Sequence, residues 1–276
     1  MKAEHPDAVP IAGGTDVMVE INFDRARPAA VIDLTRVAEL EDWGLDDGFL
    51  RIGAAVTYTR IIDELSDRLP GLAMASRTVG SPQIRNRGTV GGNLGSASPA
   101  GDAHPPLLAS DGLVELASTT GSRRVPAREF YLGPKRNAMR GDELIAAFLV
   151  EPARGPQQFS KVGTRNAMVI AVCSFAVALD TERRQVGTGI GSAAPTPVKA
   201  GEAESFMEGV LDEAGLWESP DDVDANAIKR FGELVAAAAR PIDDVRGTAA
   251  YRKHALAVLA RRTFAWAWDE YRRTAP

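Results

Sequence analysis

Val9-Pro-Ile-Ala-Gly-Gly-Thr-Asp16 and Thr89-Val-Gly-Gly-Asn-Leu-Gly-Ser-Ala-Ser-Pro-Ala-Gly-Asp102 are the two stretches on which the reading of this chain turns. In the first, a short apolar run from Val9 through Ile11 and Ala12 suits a buried strand and stops at Gly13-Gly14. There the missing Cβ atoms let the backbone turn and bring its N–H groups close to an anion. Thr15 and Asp16 follow with polar side chains. The second stretch repeats the arrangement, with Thr89 ahead of Gly91-Gly92, then Asn93, small residues to Ser98, and Gly101-Asp102 at its end. Taken alone, Ala12 to Asp16 would be an ordinary strand-to-helix turn. Its pairing with a long run of small residues, which is costly in entropy to order for structural reasons only, makes the two together read as halves of a cradle for dinucleotide phosphates.

Other chemistry finds little support. The P-loop pattern of Gly, four residues, Gly-Lys-Ser/Thr does not occur. Gly187-Thr-Gly189-Ile-Gly191 has its third glycine too early for a dinucleotide fingerprint, and a proline-containing stretch stands where a helix must begin, so these read as strand and turn glycines. The three histidines, His5, His104 and His254, are scattered and form no metal-ligand pattern; Asp102-Ala-His104 reads as a turn. Ser96 and Ser98 lack a His–acid relay, which argues against hydrolase chemistry.

The chain has 276 residues, 45% of them hydrophobic and 25% charged, enough for a sizeable core in one large or two to three small domains. A net charge of −5 gives no global support for a nucleic-acid surface, and Arg123-Arg124 and Arg261-Arg262 read as solvated faces. The single cysteine, Cys173, lies in the apolar run Val169 to Leu179 and reads as a core thiol. One cysteine excludes an intrachain disulfide and a four-thiolate iron–sulfur cluster on this chain. The apolar runs are too short to span a bilayer, and Glu4, His5 and Asp7 stand where a signal peptide has its apolar segment, so a cytoplasmic location is expected.

The order of elements predicts an α+β protein. Short strands are expected at Val9 to Ala12 and Ala30 to Leu34, then a strand over Leu50 to Val56 and a helix capped by Thr57 and running to Leu65. Further helices are expected at Gly71 to Thr78 and Pro105 to Ser110, with strands at Leu113 to Ala117 and Glu143 to Val150. Pro152-Ala-Arg-Gly-Pro156 breaks any regular element and reads as a linker. Beyond it, Gln157 to Gly163, Val169 to Leu179 and Gln185 to Ala193 predict a three-stranded antiparallel meander, followed by helices at Asp221 to Ala239 and Thr248 to Tyr271.

On the two glycine stretches the chain resembles the FAD-binding, or medium, subunit of the molybdenum hydroxylases, the group of xanthine dehydrogenase and aerobic carbon monoxide dehydrogenase. The likeness continues in the family's order through Gly141-Asp-Glu-Leu-Ile145, Phe159-Ser-Lys-Val-Gly-Thr-Arg165, Ala167-Met-Val-Ile-Ala171, Ser192-Ala-Ala-Pro-Thr-Pro-Val198 and Asp244-Val-Arg-Gly-Thr-Ala-Ala-Tyr-Arg252. The resemblance implies an FAD-binding domain over residues 1–152, with α/β lobes at about 1–50 and 51–152, and a C-terminal domain over 157–276 built on a three-stranded antiparallel sheet with helices. It implies that Ile11, Ala12, Gly13, Gly14, Thr15 and Asp16 wrap the FAD pyrophosphate. Thr89, Gly91, Gly92, Asn93, Ser98 and Gly101 would close over the other side, with Asp102 accepting hydrogen bonds from FAD hydroxyls. Ile145 would lie along the adenine or flavin end and Lys161 would reach the cofactor.

The same resemblance implies electron transfer. Substrate would be hydroxylated at a molybdopterin centre on a large subunit, and electrons would cross two [2Fe–2S] clusters on a small subunit to this chain's FAD, then pass to NAD+, oxygen or another acceptor. The assembly would be a dimer of heterotrimers. No residue of this chain is assigned as general acid or base. The first glycine loop carries no histidine for a covalent flavin link, so non-covalent FAD is expected. Family members usually have a strand and helix ahead of that loop. Met1 to Asp7 read as the end of the helix and its turn, so either the start codon is placed late or this chain lacks an edge strand. A stand-alone FAD-dependent oxidase or dehydrogenase is the alternative, though it would need its own substrate pocket.

Overall fold

The computed structural model describes residues 1–275. Near the N-terminus β1 (Val9–Ile11) is followed by α1 (Val17–Asn22) and β2 (Val31–Asp33). The two strands pair in parallel with Val9 opposite Val31, a pairing that needs a crossover, and α1 lies in it. Ahead of β1 a single turn closes, the Met1 carbonyl accepting from the Glu4 and His5 N–H groups. Ala8, Ile32, Leu34 and Leu40 form the small core of this lobe, and Ala146 of the next lobe joins them.

The next lobe is organised by a five-stranded antiparallel sheet. Its first hairpin is β3 (Trp43–Asp46) and β4 (Phe49–Gly53). Five helices follow: α2 (Tyr58–Glu64), α3 (Pro70–Arg77), α4 (Pro82–Arg85), α5 (Val90–Ser96) and α6 (His104–Ala109). A second hairpin, β5 (Leu113–Ser118) and β6 (Gly121–Pro126), leads through α7 (Ala127–Phe130) to the small ribbon of β7 (Tyr131–Gly133) and β8 (Arg136–Asn137). Then β9 (Leu144–Val150) inserts between the hairpins, giving the order β3-β4-β9-β5-β6. As the central strand β9 is apolar throughout, and Phe148 stands opposite both Ile52 and Val114. Ile61, Leu65, Leu72, Leu94 and Leu107 of the helices complete this core. Each such side chain contributes about 1.5–3 kcal/mol when fully buried.

Two expectations for this lobe need correction. The strand predicted over Leu50 to Val56 ends at Gly53, where Ala55 N–H turns to the Leu40 carbonyl and Val56 N–H closes on Gly53. The second glycine stretch, read as an ordered loop, winds into α5. Thr89 Oγ1 accepts from Gly92 N–H at 2.9 Å, and this cap together with burial of Val90 and Leu94 outweighs the poor helix propensity of three glycines. Thr57 caps α2 in the expected way, accepting from Arg60 N–H at 3.3 Å.

The segment Pro152 to Pro156 carries the chain to the antiparallel meander β10 (Gln157–Val162), β11 (Cys173–Asp180) and β12 (Gln185–Gly191). The sequence reading starts the middle strand at Val169. It starts instead at Cys173, because the preceding residues loop out and the Val169 carbonyl accepts from Lys161. Cys173 is fully buried, as read, and burial pushes its thiol pKa up to about 12. On one face lie α8 (Gly201–Glu213), which the sequence reading passed over, α9 (Ala225–Ala238) and α10 (Ala249–Thr274), with Phe175 and Val177 packed among Phe231, Leu256 and Phe264. On the other face α6 packs directly on β12. A Cβ at Gly187 or Gly189 would overlap the carbonyls of Ala109 and Pro105, so close approach explains the glycines that only superficially match a nucleotide fingerprint. No helix among the described residues is long and apolar enough to cross a membrane.

Candidate functional site

The first glycine stretch links β1 to α1 and is pressed against the residues that lead into the second. A Cβ at Gly13 would overlap the Arg87 carbonyl, so only glycine allows this approach. Gly14 has φ +77°, a left-handed conformation that favours glycine. Thr15 lies beside Gly88, and Asp16 precedes α1 without a side-chain capping bond. Among the described residues, the backbone N–H groups of Gly13, Gly14, Thr15 and Asp16 donate to no protein acceptor. Four successive free donors at a partly exposed turn are available to an anion.

Across from it the second stretch is fixed on several sides. A Cβ at Gly91 would overlap Ala54, which holds α5 against the end of β4. Gly92 is different: it is exposed, and a Cβ there would meet only Thr89 Oγ1 at 3.1 Å. Past α5, Ala97 turns left-handed at φ 44°, Gly101 N–H donates to the Ser98 carbonyl, and Ser192 N–H donates to the Pro99 carbonyl. Ser98 Oγ accepts from Ala100 N–H at 3.3 Å. The C-terminal sheet thus helps to hold the second stretch.

Asp102 ends the stretch in a buried position. Burial raises its pKa, and the Lys161 ammonium opposes that shift. Lys161 Nζ donates to Asp102 Oδ2 at 2.6 Å, to the Thr78 carbonyl at 3.0 Å and to the Val169 carbonyl at 3.2 Å. All three ammonium protons are therefore used within the protein, and Lys161 is placed to fix Asp102 across the boundary between the lobes. Thr78 Oγ1 stands 3.2 Å from the same Asp102 oxygen. The other carboxylate oxygen, Asp102 Oδ1, is buried with no partner.

Four more buried polar atoms near these stretches lack partners: Tyr58 Oη, Asn93 Oδ1, His104 Nε2 and Ser192 Oγ. Tyr58 follows the Thr57 cap, donates its N–H to the Gly88 carbonyl at 3.0 Å, and lies against Gly88. Burial raises its phenol pKa well above the ordinary value, and the charges of Asp102 and Asp16 add to the effect. His104 and Tyr131 meet edge to face with ring centroids 4.7 Å apart and their Nδ1 and Oη atoms 2.7 Å apart. A cluster of buried orphan atoms at native density is unusual and fits a ligand with many hydrogen-bonding groups. The sequence reading singled out neither Tyr58, Thr78 nor Tyr131, and took His104 for part of a turn. Ile145, by contrast, lies in the core of β9 beneath α5, its Cδ1 3.6 Å from where a Cβ of Gly95 would be.

A cleft of about 330 Å³ lies elsewhere, lined by residues including Ser110, Asp111, Arg154, Arg183 and Lys199. It shares no residue with either glycine stretch. Its charges are already paired, Arg183 with Glu151 at 2.8 Å and Lys199 with Asp111 at 2.7 Å, and it offers no orphan polar atom.

Comparison with known proteins points the same way as the geometry. Residues 1–151 match the FAD binding domain in molybdopterin dehydrogenase, and residues 158–267 match the CO dehydrogenase flavoprotein C-terminal domain. The xanthine dehydrogenase FAD-binding subunit of Escherichia coli O157:H7 is 30% identical over 270 residues, covering 94% of this chain and 88% of that protein. The nicotine 6-hydroxylase medium subunit of Paenarthrobacter nicotinovorans is 30% identical over 264 residues, covering 93% and 88%. Among solved structures, carbon monoxide dehydrogenase from Hydrogenophaga pseudoflava superposes with a TM-score of 0.84 at 26% identity, over 96% of this chain and 90% of that one. Reconstituted CO dehydrogenase from Oligotropha carboxidovorans gives 0.85 at 27% identity, over 96% and 91%.

Proposed function

Because the chain belongs to the FAD-binding subunits of the molybdenum hydroxylases, an oxidoreductase family, we propose that its two glycine stretches hold the FAD and that it relays electrons between partner subunits and a final acceptor. The observation that carries the assignment of the site is the row of free N–H groups from Gly13 to Asp16, set opposite the buried unpartnered atoms around Asp102. Backbone donors of this kind can hold a pyrophosphate without a metal. On this reading Ile11 and Ala12 bring the chain to the turn. Gly92 is the open wall of the cradle, with Thr89, Gly91, Asn93, Ser98 and Gly101 forming its frame. Asp102 Oδ1 accepts from a hydroxyl of the cofactor while Lys161 and Thr78 keep the carboxylate from turning. Ile145 supports α5 from below rather than presenting a polar contact.

Bound flavin supplies the redox chemistry, exchanging electrons with donor and acceptor. The residues of this chain orient it, neutralise its phosphates and limit access to it; none is assigned a proton-transfer role. The electrons would arrive from [2Fe–2S] clusters on a small subunit, which receives them from a molybdopterin centre on a large subunit, in a dimer of heterotrimers in the cytoplasm. They would leave to NAD+ or another acceptor. The division into domains at residues 152–157 belongs to the same proposal.

Affinity purification of the tagged chain from its own cells tests this reading. Recovery with two further subunits, molybdenum and iron, in a complex whose flavin is reduced by substrate only while the clusters are intact, is the expected result. A lone chain that oxidises substrate by itself would overturn it.

A further inference from the structure

One guanidinium joins the two C-terminal segments that reach the second glycine stretch. Arg252, near the start of α10, is only 3% exposed. Its Nη1 donates to the Val172 carbonyl at 2.6 Å and to the Ser192 carbonyl at 2.7 Å, and its Nη2 donates to Asp244 Oδ1 at 2.6 Å. Val172 closes the loop between β10 and β11. Its N–H donates to the Val162 carbonyl at 2.7 Å, beside Lys161, whose ammonium holds Asp102. Ser192 follows β12, and its N–H donates to the Pro99 carbonyl at 2.8 Å, inside the second stretch. Both supports of the stretch therefore run back to Arg252. Ser192 has φ 58°, a left-handed conformation uncommon outside glycine. It is held there by Arg252 on its own carbonyl and by Arg240 N–H on the Ala193 carbonyl at 2.8 Å. Ser192 Oγ makes no bond, so the residue acts through its backbone. Only the flat, forked guanidinium can reach two carbonyls and a carboxylate from one side chain in this way.

We propose that Arg252 is a positioning residue for the cofactor: by fixing the Ser192 and Val172 carbonyls it keeps Ser192 N–H on Pro99 and Lys161 on Asp102, and so holds the second glycine stretch in the shape that receives FAD. None of its own hydrogen bonds goes to a glycine stretch. Removing the guanidinium leaves the Val172 and Ser192 carbonyls without their donor, and relaxation of the left-handed Ser192 turns its N–H away from Pro99. The role rests on the reading of the two stretches as the FAD cradle.

FAD titration of the full chain by fluorescence, beside hydrogen exchange of the apo protein, tests the role. Arg252→Met should weaken FAD binding about tenfold at temperatures where calorimetry shows the variant folded, the scale of one hydrogen bond to a charged group. Arg252→Lys keeps the charge beside Asp244 but not the fork, and should recover only part of that loss. In Arg252→Met the Ser192 amide should exchange about tenfold faster while the amides of β11 change much less. An arginine that merely stabilises its domain would speed both alike and leave FAD affinity unchanged, and that result overturns the proposal. Ser192 gives a second route that leaves the buried charge in place, and it decides alone if Arg252→Met does not fold. Ser192→Gly keeps both backbone bonds and should bind FAD within about threefold of the parent. Ser192→Val puts a β-branched residue at a left-handed position and should lose about as much as Arg252→Met. Parent affinity in Ser192→Val overturns the proposal; so does an equal loss in Ser192→Gly, which would put the hydroxyl rather than the backbone at work. Gly92→Val separates this role from the cradle itself. Unchanged FAD affinity there overturns the cradle reading and this proposal with it, whereas a weakened Gly92→Val beside Arg252→Met and Ser192→Val of parent affinity overturns the positioning role only.

Discussion

Gly13 and Gly92 each belong to the glycine pair of one stretch, yet the structure gives them opposite tasks, and substitution should separate them. A Cβ at Gly13 would overlap the Arg87 carbonyl, a backbone atom that cannot swing aside. Gly13→Ala should therefore force the stretches apart at a cost of about 1–3 kcal/mol, the usual range for overpacking. For a protein of this size that lowers the apo melting temperature by roughly 2–4 °C per kcal/mol. At Gly92 the only neighbour of a new Cβ is Thr89 Oγ1 at 3.1 Å. Alanine in a helix is favoured over glycine by up to about 1 kcal/mol, which offsets the tight contact, so Gly92→Ala should leave apo stability within about 1 kcal/mol of the parent. Gly92→Val puts two methyl groups into the space assigned to the cofactor. Losing about 3 kcal/mol of binding would weaken FAD more than a hundredfold. The assay is calorimetry of the apo proteins beside FAD titration by fluorescence. A Gly92→Val protein that folds and binds FAD like the parent would refute the cradle, and a Gly13→Ala protein as stable as the parent would refute the packing argument.

The remaining predictions concern buried charge and reactivity. Lys161→Met leaves the Asp102 carboxylate buried without its cation, raising its pKa further and destabilising the protein by about 3–5 kcal/mol, whereas adding Asp102→Asn should recover much of the loss; urea unfolding of the single and double variants measures this, and equal stability would contradict it. His104 stays neutral in the folded protein down to about pH 3 but takes a proton near its ordinary 6.5 when unfolded. The unfolded state thus binds more protons between those values, so the stability contributed by the neutral ring is intact above 6.5 and is lost as pH falls toward 3, by up to about 1.4 kcal/mol per pH unit. Urea midpoints of the parent should therefore fall more steeply below pH 6.5 than those of His104→Gln, and parallel profiles would contradict the assignment. Cys173, fully buried with its pKa pushed up to about 12, should resist iodoacetamide in the native protein and react once urea unfolds it.

What the sequence showed and what it concealed follow from the range of the interactions involved. The apolar run of β9 and the cap at Thr57 are local signals, and the structure carries them as read, whereas β11 keeps an apolar run but starts four residues later than read. The glycine stretches were legible because a missing Cβ is itself a local feature. What such a stretch does with the freedom was not: α5 forms because Val90 and Leu94 find a core made by distant strands, and that overrides local propensity. The pair Arg123-Arg124, on the edge strand β6, was read as a solvated face, and Arg124 is exposed. Arg123 in fact donates to Glu143 at 2.7 Å and to the Ala138 carbonyl, partners set by tertiary pairing. Tyr58, Thr78 and Tyr131 reach the site only through the fold, the last from a ribbon the sequence reading did not find. No pattern in their neighbours marks them. Lys161 was read as reaching for the cofactor, and its three bonds inside the protein became visible only when Thr78, Asp102 and Val169 were brought around it.

The central claim is that the two glycine stretches together hold FAD. The most direct test incubates the purified chain with FAD, removes free flavin by gel filtration, records the visible spectrum and then denatures the protein in acid. The account predicts retained flavin in an equimolar amount, all of it released by acid as intact FAD because no covalent link is formed. A folded chain that elutes without flavin would contradict the cradle, and flavin that stays with the denatured chain would contradict its non-covalent character.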